Sequence, residues 1–597
     1  MKVKLLFTAL ILTAGLAQAQ YGHRTYYKDT LSSEWFNDGM ITDQLLVSGQ
    51  PVYIGVGRIQ SPGTGTAGIE RSRFVRTKFD GTVQYNRRLN IFRNGVELSS
   101  RLNGVAEANS AFVMAGTVSG AHLNPNPITG GSDVLLMKTT AVGVPSNTWR
   151  VDLGGADEAK VTLRSTRTSS NYFTAGSSTV PGAAGNAFIM RHTATGTIAW
   201  LKKFTIPCNG GLANTEITGI AQDSASGNVV VVGNYTSIGG NCGGAFIARF
   251  TNGGALSWLY TYNPVSYSGL SFQSIRPTAT PKVYVIAAYA ISAGAGGYRP
   301  ILIKVTTSGT APVINFAMMY ITPNPTPNFP ISYQKPWDVV SRINTAGAEE
   351  FFLGGETGYT TGLTDGNIIK TNAGGASISC RFYFGGGNQA IYALDKVSNL
   401  GTPGDGIAAF GRWDQYNNTG LAIGTRSWLI RSYFNLVSGC YDIASTPTGT
   451  SVTLQGTAVS VALSSTYNAD SLQTQNSGLL NATLCWNTSL SSGSNVRLTE
   501  EGEDEAALTN EVMDVLVYPN PVSGETPATM QVSVSRACAS ELTIVDITGR
   551  VIERRQQDLL EGMNEIKIPA DTWQTGMYLI QLKTEDGQSS VTRLMVR

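Results

Sequence analysis

Seven segments of the chain look alike and recur at a spacing of about 54 to 68 residues. They are "VYIGVG" from Val52, "FVMAGT" from Phe112, "YFTAGS" from Tyr172, "VVVVGN" from Val229, "VYVIAAY" from Val283, "FFLGGET" from Phe351 and "IAAFGR" from Ile407. Each is a short apolar run, and most end in Gly. A turn precedes each run, as in "DSASGN" (Asp223 to Asn228). A Gly-rich loop and a second β-prone run follow, as in "NAFIMRHTATG" and "GAFIARFTNGG". A tight turn then leads to a fourth run, clearest around Trp200 and Trp258. One unit therefore reads as four antiparallel strands. One such sheet cannot bury both of its faces. Sheets stacked radially around an axis can, and they leave only short edges.

Composition agrees with an all-β body. Of 597 residues, 67 are Gly and only 14% are charged. Val, Ile, Thr, Tyr and Phe are common, and long helical periodicity is absent beyond the first twenty residues. Sandwiches in series are the bland alternative, but they do not recur internally at this spacing. The expected fold is all-β: a propeller of seven blades, or eight if the stretch after Cys440 forms another. A linker and a small Ig-like sandwich follow. Residues 22–50 are expected to supply a strand that closes the ring. The units resemble the SBBP-type β-propeller repeat family over about residues 35–440, best in the third and fourth units. That resemblance implies a propeller and no particular chemistry.

The expected segments are 1–19, 20–440, 441–488, 489–514 and 515–597. Residues 1–19 read as a signal peptide, with basic Lys2 and Lys4, the apolar run Leu5 to Leu16 and an Ala17-Gln18-Ala19 cleavage site. The run is too short for a membrane span, and no membrane-crossing segment is expected elsewhere. Residues 20–440 are the propeller. Residues 441–488 are a closing β element or a spacer. Residues 489–514 read as an extended linker, polar and then acidic at Glu500, Glu501, Glu503, Asp504 and Glu505. The last segment, 515–597, has period-2 apolarity broken by turns, which describes a small sandwich.

Tyr518, Pro519, Asn520 and Pro521, then Asp546 with Gly549-Arg550, Gly562 with Asn564, and Gly576 with Tyr578, run in order to the last residue. This series resembles the type A C-terminal sorting domain of the type IX secretion system of Bacteroidota. The resemblance implies passage through the periplasm and recognition by the outer-membrane machinery. It also implies removal of the tail by a sortase-like peptidase, with the cargo released or joined to surface lipopolysaccharide.

Chemistry is harder to find. Only three His occur: His23, His122 and His192. They fall in separate units, with no neighbour that suggests a triad or a metal ligand. No GxSxG, HExxH or P-loop is present. Asp133, Asp338, Asp365 and Asp414 are candidates for a glycosidase-like pair. No catalytic residue, cofactor or metal site is assigned. Lys and Arg do not cluster with aromatics, so nucleic acid is not an expected partner.

The loops instead offer Tyr267, Tyr298, Arg299, Phe329, Tyr333 and Trp337 among Pro, Asn and Gly. Flat aromatics beside amides suit sugar rings, and these six are the candidate ligand-binding residues. Cys208 and Cys242 are expected to form a disulfide between adjacent blades; Cys440 with Cys485 is a weaker second pairing, and Cys380 and Cys538 are left over. The expected function is a surface or released module that binds, adhesin-like, to partners such as glycans. The alternative is a secreted hydrolase of polysaccharide or peptide. Two carboxylates converging in the central funnel would favour the hydrolase.

Overall fold

The computed structural model describes most of residues 22–485 and 514–596. The proposed signal peptide and the acidic linker lie outside the described residues, as do loop segments such as 61–68, 121–130, 324–329 and 397–405. The chain divides into two compact units, Met1–Val496 and Arg497–Arg597.

In the first unit, strands form seven antiparallel blades, the first two of which are continuous through the pairing of Val83–Arg93 with Val96–Ala108. Their innermost strands are Ser33–Val47, Val96–Ala108, Ala156–Arg164, Gly211–Gln222, Tyr267–Pro277, Ile331–Ile343 and Gln389–Lys396. We number the sheets as blades 1 to 7 in that order. Each inner strand touches the inner strand of the next blade, and that of blade 7 touches that of blade 1. The ring is therefore closed, and the body is a seven-bladed propeller. The fourth strand of blade 7 is Gly22–Tyr26, which pairs antiparallel with Ala422–Tyr433. The apolar runs read in the sequence are the second strands, which are buried between neighbouring blades, as in Glu349–Tyr359.

Glycine ends these runs for a steric reason. The register between first and second strands slips by one residue at the same place in every blade. The extra residues are Asn37, Asn103, Lys160, Thr218, Gln273, Trp337 and Tyr392. Such a β-bulge bends the inner strand and pushes a carbonyl toward its partner. Opposite the bulges stand Gly57, Gly116, Gly176, Gly233, Gly355 and Gly411. A Cβ at Gly233 would collide with the Glu216 carbonyl oxygen, and one at Gly176 with that of Glu158. Trp35, Arg101, Lys335 and Ala390 present their carbonyls in the same way to the other four glycines. Blade 5 has Ala288 at this position, and its inner strand carries a second slip between Ser268 and Ser271. The motif looks degraded there because Ala stands where six other blades have Gly.

Residues 442–485 form neither an eighth blade nor a detached spacer. They run once around the outside of the ring and lie on the outermost strand of every blade. Asp442–Ser445 pairs with blade 6, Thr448–Ser451 with blade 5 and Leu454–Ala458 with blade 4. Ser464 makes a two-way backbone bridge to Lys203 on blade 3, at 2.8 and 3.0 Å. Asn468–Ser471 then pairs with blade 2 and Gln473–Gly478 with blade 1. Ala482–Cys485 ends the circuit on Gly22–Tyr26 of blade 7. Apolar residues of this belt fill the clefts between blades. Val452 and Leu454 join the core of blades 4 and 5, Val459, Val461 and Leu463 that of blades 3 and 4, and Leu472 that of blades 1 and 2.

Cys208 and Cys242 are joined, with Cα atoms 6.0 Å apart. The bond does not cross between blades as the spacing suggests. Cys208 lies on a short strand, Ile206–Cys208, that leaves blade 3 and pairs with the inner strand of blade 4. Cys242 precedes the third strand of that same blade, so the disulfide closes within blade 4. Cys380 is buried and its thiol is pushed up to about 12 by burial. Cys440 and the side chain of Cys485 lie outside the described residues.

The second unit is a two-sheet β domain. One sheet holds Asp514–Tyr518, Ala528–Val534 and Gly562–Ile568; the other holds Val551–Leu559, Cys538–Asp546, Gly576–Thr584 and Ser589–Val596. Met530, Val532, Leu542, Ile544, Ile580 and Leu594 fill the space between them.

We predict that Gly233→Ala lowers stability by about 2 kcal/mol or more, because the bulge cannot relax around a methyl group. Ala288→Gly, at the matching place in blade 5, should cost under about 1 kcal/mol. Urea melts of the two variants followed by tryptophan fluorescence distinguish these outcomes.

Candidate functional site

The inner strands enclose a cavity of about 780 Å³ on the propeller axis, and all seven bulge residues line it. The bulge that demands glycine behind it thus also selects what the cavity presents. Blades 1 to 5 contribute Asn37, Asn103, Lys160, Thr218 and Gln273, and blades 6 and 7 contribute Trp337 and Tyr392.

Several bulge side chains also tie one blade to the next. Asn37 Nδ2 donates to the Leu102 carbonyl (2.8 Å), and Asn103 Nδ2 donates to that of Ala159 (2.8 Å). Thr218 Oγ1 donates to the Phe272 carbonyl (2.8 Å). In each case the acceptor immediately precedes the next blade's bulge residue. Lys160 reaches forward to Glu216, and Arg101 to Glu158 at 2.9 Å.

Three carboxylates project from the inner strands just beyond the bulges: Asp38, Asp338 and Asp395. They follow one plan. One oxygen accepts the N–H of the next residue, and the other accepts an N–H of the next blade. Asp38 takes Gly39 (2.8 Å) and Val105 (2.9 Å). Asp338 takes Val339 (2.8 Å) and Leu394 (3.0 Å). Asp395 takes Lys396 (2.8 Å) and Ile41 (2.7 Å). Arg276 adds a two-pronged pair to Asp338, with Nη2 at 2.8 Å from Oδ2. Burial pushes the Asp38 carboxyl up to about 7, against the pull of Arg276, and it also raises Asp395. Arg276 is held above its ordinary value first by Asp338.

One wall of the cavity is aromatic. Trp337 and Tyr392 meet edge to face at 5.9 Å, and Tyr289 lines the same side. Tyr289 and Tyr298 meet at 4.9 Å. Lys335 sets its ammonium 4.4 Å from the Tyr298 ring, 5.2 Å from Tyr333 and 5.7 Å from Tyr289. Such cation–π contacts hold the cluster together. Burial raises Glu356, whose carboxyl lies near Arg412 and Lys335.

Of the six aromatic and basic residues expected to bind ligand, Trp337 lines the cavity and Tyr298 and Tyr333 pack in the cluster beside it. Arg299 does not join them: it is buried outside the cavity lining, and burial lowers its pKa. Tyr267 has a described backbone only, and Phe329 lies outside the described residues. Of the four aspartates considered for catalysis, Asp338 alone lines the cavity. Asp365 accepts the Tyr359 hydroxyl (2.7 Å), and Asp414 accepts that of Thr425 (2.8 Å). Asp133 sits at the junction of blades 2 and 3. Its neighbours there are Asp152 and Asp157. Sequence reading missed Asp38 and Asp395, which come together only when the ring closes. Their signal was position, one and three residues past the bulge. His192 is buried: its Nε2 meets Thr174 Oγ1 at 2.9 Å, and burial lowers its pKa to about 4. His122 and the side chain of His23 lie outside the described residues.

The shifts give a pH dependence. Asp38, Asp133 and Asp157 are each pushed up to about 7 by burial. A carboxyl raised above its unfolded value contributes stability that is full in acid and is lost as pH rises through the folded value. His192, lowered to about 4, acts in the opposite sense below its unfolded value of 6.5. Three groups outweigh one. The melting temperature is therefore expected to fall as pH rises from 5.5 to 8. His192→Gln should steepen the fall below pH 6.5, as calorimetry at stepped pH would show.

Comparisons with known proteins bear mainly on the second unit. Residues 516–597 match the family described as "Secretion system C-terminal sorting domain". No curated protein sequence matches the chain. Among solved structures, the subtype N11 neuraminidase-like protein of A/flat-faced bat/Peru aligns at 12% identity and a TM-score of 0.30. That alignment covers 60% of this chain and 95% of that one. The native conformation of E. coli alpha-2-macroglobulin aligns at 8% identity and a TM-score of 0.14, covering 96% of this chain and 35% of that one. Neither likeness bears on chemistry. Motif residues of the tail hold its turns. Arg550 donates from its backbone and side chain to Asp546, at 3.1 and 3.0 Å, and Asn564 exchanges two hydrogen bonds with the Leu560 backbone, at 2.8 and 2.7 Å. Tyr578 donates its hydroxyl to the Gln574 carbonyl (2.8 Å). Residues 516–597 are a C-terminal sorting domain, which marks this β-propeller protein for export by the type IX secretion system of Bacteroidota to the cell surface or extracellular space.

Proposed function

We propose that the exported propeller is a non-catalytic binding module that holds a sugar-like ligand at its central cavity. The observation that carries this reading is the division of the cavity into two walls. Trp337, Tyr392 and Tyr289, on blades 5 to 7, offer flat apolar surface, and Asn37, Asn103 and Lys160, on blades 1 to 3, line the cavity with polar side chains that also bind across the blade seams. A pyranose ring has the matching halves, an apolar face and a hydroxyl edge.

A hydrolase is the second reading, and Asp38 favours it. A cavity carboxyl that holds its proton near neutrality suits a general acid. Against it stands the use already made of the carboxylates: both oxygens of Asp38, Asp338 and Asp395 accept backbone N–H groups. A group that moves to deliver a proton would have to release the neighbouring blade.

Trp337→Ala in the mature protein is expected to weaken glycan binding by about tenfold or more, which is over 1 kcal/mol. The check is a glycan array followed by calorimetric titration of the best hit. Turnover of a polysaccharide or peptide that Asp38→Asn abolishes would instead establish the hydrolase.

A further inference from the structure

Tyr298 and Tyr333 stand outside the cavity lining, yet they continue its aromatic wall. Tyr289 is the joint. It lines the cavity and meets Tyr298 edge to face, with ring centroids 4.9 Å apart. Tyr298 opens the third strand of blade 5, Tyr298–Thr306, and Tyr333 lies near the start of the inner strand of blade 6, Ile331–Ile343. Third strands run in the same direction as inner strands, because each is antiparallel to the second strand between them. Both tyrosines therefore belong to the mouth at which the inner strands begin.

Two glycines fix this placement. Gly297, at φ +91°, lies against the Ser332 carbonyl of the next blade, and a Cβ there would collide with that oxygen. Gly358 lies against the Tyr333 ring, which a Cβ would strike. The first brings the Tyr298 strand onto the Tyr333 strand. The second seats the Tyr333 ring on backbone.

Lys335 sits among the rings, with its ammonium 4.4 Å from Tyr298, 5.2 Å from Tyr333 and 5.7 Å from Tyr289. Among the described residues it donates to no oxygen and forms no ion pair, and Glu356 attracts it only from beyond ion-pair distance. The rings hold the charge but accept none of its three N–H groups as an oxygen would. Lys335 and all three tyrosines are half-buried. Unspent N–H donors set among half-exposed flat rings suit a ligand that offers apolar faces and hydroxyl oxygens together.

We propose that Tyr298, Tyr333 and Lys335 form a second subsite, and that the ligand is a chain of two or more sugar units, not a single sugar. One unit lies against Trp337 and Tyr392 in the cavity. The next lies at the mouth, where its ring meets a tyrosine and its oxygens take the Lys335 N–H groups. Tyr289 is shared between the two. This inference rests on the cavity reading given under the proposed function.

The test is a glycan array carrying glucose, mannose, xylose and N-acetylglucosamine, each as the single unit and as short chains, read with the full mature protein. Calorimetric titration of the best chain and of its single unit then measures the preference for chain over unit. That preference is expected to be about tenfold or more, and to fall about fivefold or more in Tyr298→Ala and in Lys335→Met. Lys335→Met keeps an apolar stem among the rings, and it alone decides if Tyr298→Ala does not fold. Equal affinity for unit and chain, or a preference that survives either substitution in a folded variant, would overturn the subsite and leave the cavity reading standing. No binding of any sugar on the array would overturn the cavity reading and the subsite with it.

Discussion

The propeller depends on one backbone irregularity used seven times. At each inner strand an extra residue bulges toward the axis, and the carbonyl two residues before it presses on the strand behind. Only a residue without a side chain fits at six of those places. The bulge also frees the hub for chemistry, because a residue outside the ladder can face the axis without disturbing the pleat. What the cavity shows a ligand and what the second strand can tolerate are therefore two sides of one constraint. The same region carries the inter-blade hydrogen bonds of Asn37, Asn103 and Thr218 and the carboxylate clamps of Asp38, Asp338 and Asp395. Most blade seams are polar at the hub and apolar farther out.

The outside of the ring solves a different problem. Seven outer strands are seven unpaired edges, each able to recruit a strand from another chain. The belt pairs with all of them in one pass. Its Ser- and Thr-rich composition now has a reason. Each short strand must face water on its outer side, while single apolar residues such as Val452 and Leu472 dip between blades. Asp470 joins two blades at once, accepting from Arg150 (2.8 Å) and Arg93 (3.0 Å).

Much of this was legible in the chain. The runs from Val52 to Ile407 carried the blade count because each second strand is buried on both faces and so reads as uninterrupted apolar sequence. The Gly at their ends was visible, but its cause was not, since the colliding carbonyl lies 15 to 22 residues upstream on another strand. Trp337 was found as an aromatic in a Pro-rich stretch. Asp38 and Asp395 were not found, because they are some 350 residues apart and converge only across the seam between blades 7 and 1. The belt escaped for a related reason. Strands of four or five residues, each paired to a different sheet, leave no period to read. The disulfide was placed one blade too far because the chain enters blade 4 through a short extra strand.

The direction of the belt has a consequence for how this chain is assembled. Its blades are laid down in the order 1 to 7, whereas the belt touches 6, 5, 4, 3, 2, 1 and then 7. Every docking place is a finished outer edge, and the last is the strand formed by the N-terminus. The lashing can therefore be completed only on a wheel that is already whole.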